Sequence, residues 1–442
     1  MAIIPQKDLF AWQQIDELGD LERLVLVIDT MPDEALMRTL ECERGRGRND
    51  YPVRAVWNSI LAAVVFQHVS IESLRRDLQR NAQLRQVCGF DVTKGERAVP
   101  PPHVYTRFLR NVIEHRDLID AMFADLVKAL REVLRGFGET MAIDSKAISS
   151  HARSGKKDAP EQERDGRRDI DADWGKKTYR GRREDGTPWE KIKSWFGYKL
   201  HLIVDATYEL PVAYSVTRAS TADITQAHEM IDEIEESRPE LLDGCETFLG
   251  DKAYDDTKLV SGLFDDHAVK PVIDIRNMWK DGEDTKLADG TRNVVYDAKG
   301  NVSCCCMKTG KLRPMSFGGF DKDRDALKYR CPRVYQHVTC EGHDRCPVNN
   351  CVRIKLSQDR RIFTPTARSS YKWKRIYAKR TAVERVNSRL DVSFGFERHY
   401  IRGLKKMEFR CGLALAVMLA MALGRVRENR RDLMRSFVRV AA

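Results

Sequence analysis

Apolar positions recur with helical spacing through the first 135 residues. Ala55 to Phe66 reads AVWNSILAAVVF and is nearly continuous in apolar character. Ser70 stands where it can cap a second helix, IESLRRDLQRN, and VPPPH at 99–103 breaks the chain before TRFLRNVIEH resumes the helical period. At Glu139 the pattern changes to a short strand, ETMAIDSKAI, apolar up to Asp144. The stretch from Ser154 to Glu190 mixes both charge signs with Gly and Pro and predicts an exposed loop. SWFGYKLHLIVDA and LPVAYSVTRA follow as two strands around the turn TYE, making three consecutive strands with the first. Asp223 is placed to cap the helix ITQAHEMIDEIEES; TFLGDKAY is a fourth strand closing at Asp251. Asp255 is placed to cap a further helix, and HAVKPVI is a fifth strand. Residues 276–350 are rich in Gly, Asp, Lys and Cys and carry weak strand patterns, so they read as an insertion. A long helix is predicted from Tyr371 toward Leu390, and a second, apolar one from about Met407 to Val426. The chain is thus α/β: an all-α segment over 1–135, a mixed core over 136–275, a Cys-rich insertion over 276–350, and a helical return over 351–442.

Composition sharpens this picture in three places. The 442 residues, 42% hydrophobic, suffice for a large core and two or three domains. The longest apolar run, Cys411 to Gly424, lies between Arg410 and Arg425. It is too short to span a bilayer and predicts a buried helix. With no basic start and apolar run at the N-terminus, the expectation is a cytoplasmic protein without a membrane partner. Net charge is +10, unevenly spread: residues 351–380 hold ten Lys or Arg against one acid, and 398–440 hold eleven against three. Such a field in the C-terminal third fits a polyanion partner as well as it fits solvated helix faces. In the N-terminal helices, Arg75, Arg76, Arg80, Arg107 and Arg110 suit a helix-turn-helix-like DNA reader or the surface of an ordinary bundle.

Seven of the eleven cysteines fall between Cys304 and Cys351. This local cluster speaks against a disulfide framework. Cys331, Cys340, Cys346 and Cys351, with His337 and His343 among them, could supply a closed tetrahedral Zn²⁺ site. The spacing lacks paired Cys-x2-Cys knuckles, and reduced, partly buried thiols explain it equally.

Three acids carry candidate chemistry. Asp144 follows Met141-Ala142-Ile143, and Asp251 follows Phe248-Leu249-Gly250. A carboxylate in such apolar company is costly unless it is paired or binds a metal. Open α/β sheets place ligands at the carboxyl ends of strands, although either Asp could equally be a turn or cap residue. Tyr377, Arg380 and Glu384, spaced by three and then four, share one face of a helix. Arg380 could fork onto a phosphate while Glu384 reaches a metal, or the two could form an ordinary i, i+4 pair.

In order along the chain, these motifs resemble bacterial insertion-sequence transposases of the DDE type. AIDSKAI resembles their first-aspartate strand, FGYKLHLIVDATYELPVAYSVTRASTAD their second and third strands, and FLGDKAYDD their second-aspartate motif. KRTAVERVNSRL, with Tyr377 just ahead, resembles their Tyr-x2-Arg-x3-Glu-x6-Lys signature. The match covers roughly Met141–Ile273 and Tyr371–Leu423, and Tyr51–Asn111 resembles the helical domain that precedes the catalytic core. The resemblance implies a ribonuclease-H-like catalytic core with Asp144, Asp251 and Glu384 as a catalytic, metal-binding triad for Mg²⁺ or Mn²⁺. It implies DNA contacts from Tyr377 and Arg380. It further implies cleavage and strand transfer on double-stranded DNA, at terminal inverted repeats and at a target, by a homodimer or larger assembly. Lys199 and His201 match the basic strand pattern without a role. One position departs: the signature's final Lys is Asp391 here, and Arg389 lies about 160° around the helix from it. The rival readings are a ribonuclease-H-like nuclease that only hydrolyses and a non-catalytic, transposase-derived DNA-binding protein.

Overall fold

The structure, a computed structural model, describes residues 18–46, 49–152, 169–183 and 185–437. The helical segment contains α1 (Leu21–Thr30), α2 (Glu34–Arg44), α3 (Val53–Val65), α4 (Ile71–Arg80), α5 (Ala82–Cys88), α6 (Pro102–Glu114) and α7 (Arg116–Val133). Ser70 caps α4 as its position predicts, its Oγ accepting from the Ser73 N–H at 3.2 Å. Leu74 and Leu78 turn inward on this helix, while Arg76 and Arg80 stay exposed.

The main sheet holds β1 (Thr140–Ser149), β2 (Asp173–Arg182), β3 (Pro188–Asp205), β4 (Leu210–Arg218), β5 (Thr247–Gly250) and β6 (Lys270–Ile273). Met141, Ala142 and Ile143 are fully buried, which fixes β1 at the centre. It pairs antiparallel with β3 and parallel with β5, and β5 pairs parallel with β6. The C-terminal half of β3 also pairs with β4, and its N-terminal half pairs only with β2. The β3–β4 turn is held by Asp205, whose carboxylate accepts the N–H groups of Thr207 and Gly138 at 2.9 and 2.8 Å. Helices α8 (Asp223–Ser237), α9 (Glu240–Asp243) and α10 (Thr257–Ser261) fill the crossovers.

The charged stretch expected to be loop is different in part. Residues 154–168 lie outside the described residues, but Asp173–Arg182 is a strand and β3 begins as early as Pro188. The alternation that betrays a strand needs one buried face, and most positions here are exposed. Two expected caps also differ. Asp223 lies inside the first turn of α8 without capping it, and α10 is capped by Asp256, whose Oδ2 accepts from Leu259 N at 2.9 Å, in place of Asp255.

Residues 276–355 form two further sheets. One contains β7 (Thr285–Leu287), β8 (Val294–Asp297), β9 (Val302–Cys305) and β10 (Leu312–Pro314). The other contains β11 (Ser316–Asp321), β12 (Ala326–Arg330) and β13 (Cys351–Lys355), with a short helix α11 (Pro332–Gln336) between the last two. The chain then returns through α12 (Tyr371–Tyr377), α13 (Thr381–Phe394) and α14 (Leu404–Arg427). The α14 helix is long and apolar enough to cross a membrane, yet most of it is buried against α7, α1, α3 and β4. One apolar core runs from Leu21 through the sheet to Phe437, and a second, smaller one spans Ile275 to Ala367.

Candidate active site

Strands β1 and β5 are parallel neighbours with Ala142 opposite Leu249, so Asp144 and Asp251 each stand two residues further along. Adjacent strands lie about 4.8 Å apart, which brings the two carboxylates to the same edge of the site. The Asp144 Oδ1 accepts from Ser145 N at 2.8 Å, and its Oδ2 lies 3.4 Å from Arg380 Nη1. Burial, and then the charge of Asp251, push the Asp144 carboxyl up to about 6, against the opposing pull of the Ser145 N–H, Lys177 and Arg380. The Asp251 Oδ1 accepts from Ala253 N at 2.7 Å and starts the short turn Lys252–Tyr254. That turn places the fully buried Tyr254 among Asp144, Asp223 and Asp251, and its hydroxyl is held protonated by burial and then by those charges.

Glu384 is tied to Asp144 through a single arginine. Helix α12 ends at Tyr377, a tight turn runs from Ala378 to Arg380, and α13 follows. The expected single helix is therefore interrupted ahead of Glu384. Arg380 bridges the acids: its Nη2 donates to Glu384 Oε1 at 2.6 Å while its Nη1 faces Asp144. Tyr377 stacks on Trp373 with ring centroids 4.6 Å apart, and the Arg380 guanidinium lies 5.9 Å from the Tyr377 ring. The reach of Arg380 thus links Asp144, Glu384 and Tyr377, while Asp251 is felt through its charge on Asp144. Among the described residues, no three His, Cys, Asp or Glu side chains already stand in a metal-holding arrangement. Two neighbouring carboxylates are nevertheless oxygen donors of the kind a hard divalent cation takes.

The roll of α13 is set elsewhere. Glu209, in the β3–β4 turn, accepts from Arg385 at 2.6 Å and from Arg389, and Arg435 lies 3.3 Å away. Arg389 is consequently committed to the side of the helix away from position 391. At that position Asp391 meets Lys146, with Nζ 2.5 Å from Oδ2. Lys146 shares a face of β1 with Asp144, so the acid at position 391 ties α13 to that strand. Sequence reasoning missed this pair, and an acid at a signature lysine was the signal for it. Lys199 and His201 surround Asp223: the lysine donates to it at 2.9 Å, and burial pushes the imidazole down toward its neutral form.

The expected zinc set is not assembled. A small cavity is lined by Cys331, Cys340 and Cys346 together with Cys304, Cys305 and Cys306. Cys351 is absent from that lining and sits on β13 opposite Arg330. Strand pairing, which linear spacing does not encode, decides this. The four-cysteine Zn²⁺ reading is therefore withdrawn. In the N-terminal helices Arg75 is engaged within the protein, donating to Pro100 O at 2.8 Å and to Glu72 at 2.9 Å, whereas Arg76, Arg80, Arg107 and Arg110 are exposed.

Residues 135–420 match the family described as Transposase DDE domain. No curated protein matches the chain. Among solved structures, one similar chain is described as a piggyBac transposase synaptic complex with hairpin DNA, at 12% identity and a TM-score of 0.30, over 98% of this chain and 88% of that one. At that score the likeness carries no argument.

Proposed function

Since the matched segment makes up most of the chain, which therefore belongs to the DDE transposase family, we propose that it cleaves DNA and transfers strands at the ends of an insertion sequence. The observation that supports this reading is that Asp144 and Asp251 stand at matching positions on adjacent parallel strands, and that the arginine beside Asp144 also holds Glu384. The core is read as ribonuclease-H-like: an antiparallel β1–β3–β4 meander continued by parallel β5 and β6, with acids at the ends of β1 and β5. The proposed division of labour makes residues 1–135 a DNA-binding segment, 136–275 and the return from α12 onward the core with its basic tail, and 276–350 an insertion whose sheet and apolar core run on past 350 to Ala367.

Asp144, Asp251 and Glu384 would hold Mg²⁺ or Mn²⁺. The bound ions would supply Lewis acidity to the attacking and leaving oxygens of an in-line displacement. Arg380 would release the carboxylates it now bridges and turn toward the scissile phosphate, which a guanidinium can grip with two parallel N–H groups. Tyr377, fixed by Trp373, would hold the flanking backbone beside it. Tyr254 would remain a neutral hydroxyl that limits water behind the acids. In the first step water breaks one phosphodiester and leaves a 3′-hydroxyl. In the second that hydroxyl attacks a target phosphodiester, so one bond is broken for each one made. Acting on two element ends together calls for a homodimer or larger assembly on DNA, in the cytoplasm.

Strand-transfer assays on duplex DNA with Mg²⁺ or Mn²⁺ test the proposal. A nuclease would cut without joining, and a DNA-binding protein would only retard the duplex. Asp144→Asn is expected to abolish cleavage while leaving duplex binding intact, because it removes one carboxylate charge without changing shape. Full activity in that variant would refute the assignment.

A further inference from the structure

The ribbon of β2 and the first half of β3 is left over from the site just described. Ten residue pairs join Asp173–Arg182 to Pro188–Gly197, and both β1 and β4 stop pairing with β3 at Gly197 or Tyr198. The two strands therefore run on alone beyond the sheet, with Pro188 to Ser194 all exposed. An isolated two-stranded ribbon is marginal in water. This one is braced by two cross-strand tryptophans laid over glycines. A Cβ on Gly175 would stand 2.4 Å from the Trp195 ring, and one on Gly181 2.6 Å from that of Trp189. The rings lie against the backbone and keep the ribbon thin.

Its charge is arranged at a cost. Lys177 is directly opposite Lys193, and Lys191 lies two residues along the same face, between the two tryptophans. Like charges facing each other across strands destabilise a sheet. No ion pair joins Lys176, Lys177, Lys191 or Lys193 to an acid among the described residues. Trp174, Trp189 and Ile192 are also exposed, at 39%, 37% and 50%. A braced, thin, self-repelling basic ribbon calls for a polyanion, and the major groove of duplex DNA is wide enough to admit a two-stranded ribbon. Lys177, midway along the ribbon, is one of the positive charges that pull the Asp144 carboxyl down, so the arm lies within electrostatic reach of the acids.

We propose that the β2–β3 ribbon is a DNA-docking arm that lies in a groove of the duplex leading to Asp144, with Lys177, Lys191 and Lys193 on phosphates and Trp189 against the groove. This rests on the reading that the substrate is DNA. The test is fluorescence anisotropy of a random-sequence duplex with the full-length protein, titrated across salt. In the triple variant Lys177→Gln/Lys191→Gln/Lys193→Gln, the slope of log affinity against log salt should fall by about 0.9 for each lysine that meets a phosphate. The DNA-free variant should melt no lower than the parent, because repulsion has been removed. An unchanged slope would overturn the arm while leaving the transposase reading intact, and an unchanged slope with altered self-association would make the ribbon a protein interface instead. A parent protein with no affinity for duplex DNA would sink the functional reading itself.

Discussion

Charging a buried carboxylate beside another acid is doubly unfavourable, and Asp144 bears both penalties. Its ionisation at about 6 stands above that of an unfolded aspartate, so the native state binds more protons between the two values. In chelator-treated protein, stability should therefore be fully present below about 4 and fall as pH rises toward about 6, by on the order of 2–3 kcal/mol. Denaturant unfolding across that range reads this, and Asp144→Asn should flatten it. The Lys146–Asp391 pair makes a second residue-scale case. Among the described residues, Asp391 Oδ1 is buried without a hydrogen-bond partner and Lys146 is the cation paired with its carboxylate. Lys146→Met should cost about 1–3 kcal/mol, and adding Asp391→Leu should recover most of it, because the orphaned charge is then gone. The apolar or helical settings of Asp144, Asp251 and Glu384 made them candidates, and the resemblance of their motifs joined them into a triad. Arg380 as a bridge between two of them was not legible in the sequence, because its partner on β1 lies 236 positions away.

At the scale of elements, α13 positions Glu384 through its far side. Glu209 gathers Arg385, Arg389 and Arg435, and this holds the helix against the β3–β4 turn. Glu209→Ala should leave the sheet folded while amide exchange along α13 quickens and cleavage drops at least tenfold, since small misplacement weakens such chemistry. Unchanged exchange in α13 would show that packing of Val383, Val386 and Leu390 alone fixes the helix. Strands with a buried face, β1 and the second half of β3, were readable from their apolar runs. The β2 strand and the early start of β3 were not, because a ribbon exposed on both faces has no hydrophobic alternation. The break between α12 and α13 also escaped prediction: neither Gly nor Pro marks it, and the turn Ala378–Arg380 is helical enough to keep the period.

At the scale of the molecule, two apolar cores are joined by a buried ionic link. The Arg361 Nη1 lies 3.0 Å from Asp255 Oδ2 and also donates to Arg276 O at 3.1 Å. Arg368 donates to Ile273 O at the end of β6 and to Ile362 O. Asp255 thus serves the junction, which is why Asp256 is left to cap α10. Arg361→Ala should cost about 3–5 kcal/mol by taking the ion-pair partner from buried Asp255, which would keep only the Arg276 N–H on that oxygen. Hydrogen exchange should place that loss in residues 275–367, with α14 and its neighbours still protected. Uniform loss of protection would mean that the two cores unfold as one.

The order of the strands with buried faces and the apolar character of α14 follow from the sequence, because each depends on local composition and period, whereas Asp144, Asp251 and Glu384 were singled out as a candidate triad by the resemblance of their motifs. The partners of those residues were decided only when strands paired and helices docked. Lys146 against Asp391, Glu209 against three arginines, and Cys304 to Cys306 in place of Cys351 are contacts between distant segments. Hydrophobic patterning determines which face of an element is buried; the register and roll that bring two charged atoms within hydrogen-bonding distance are set by the packing of the whole chain.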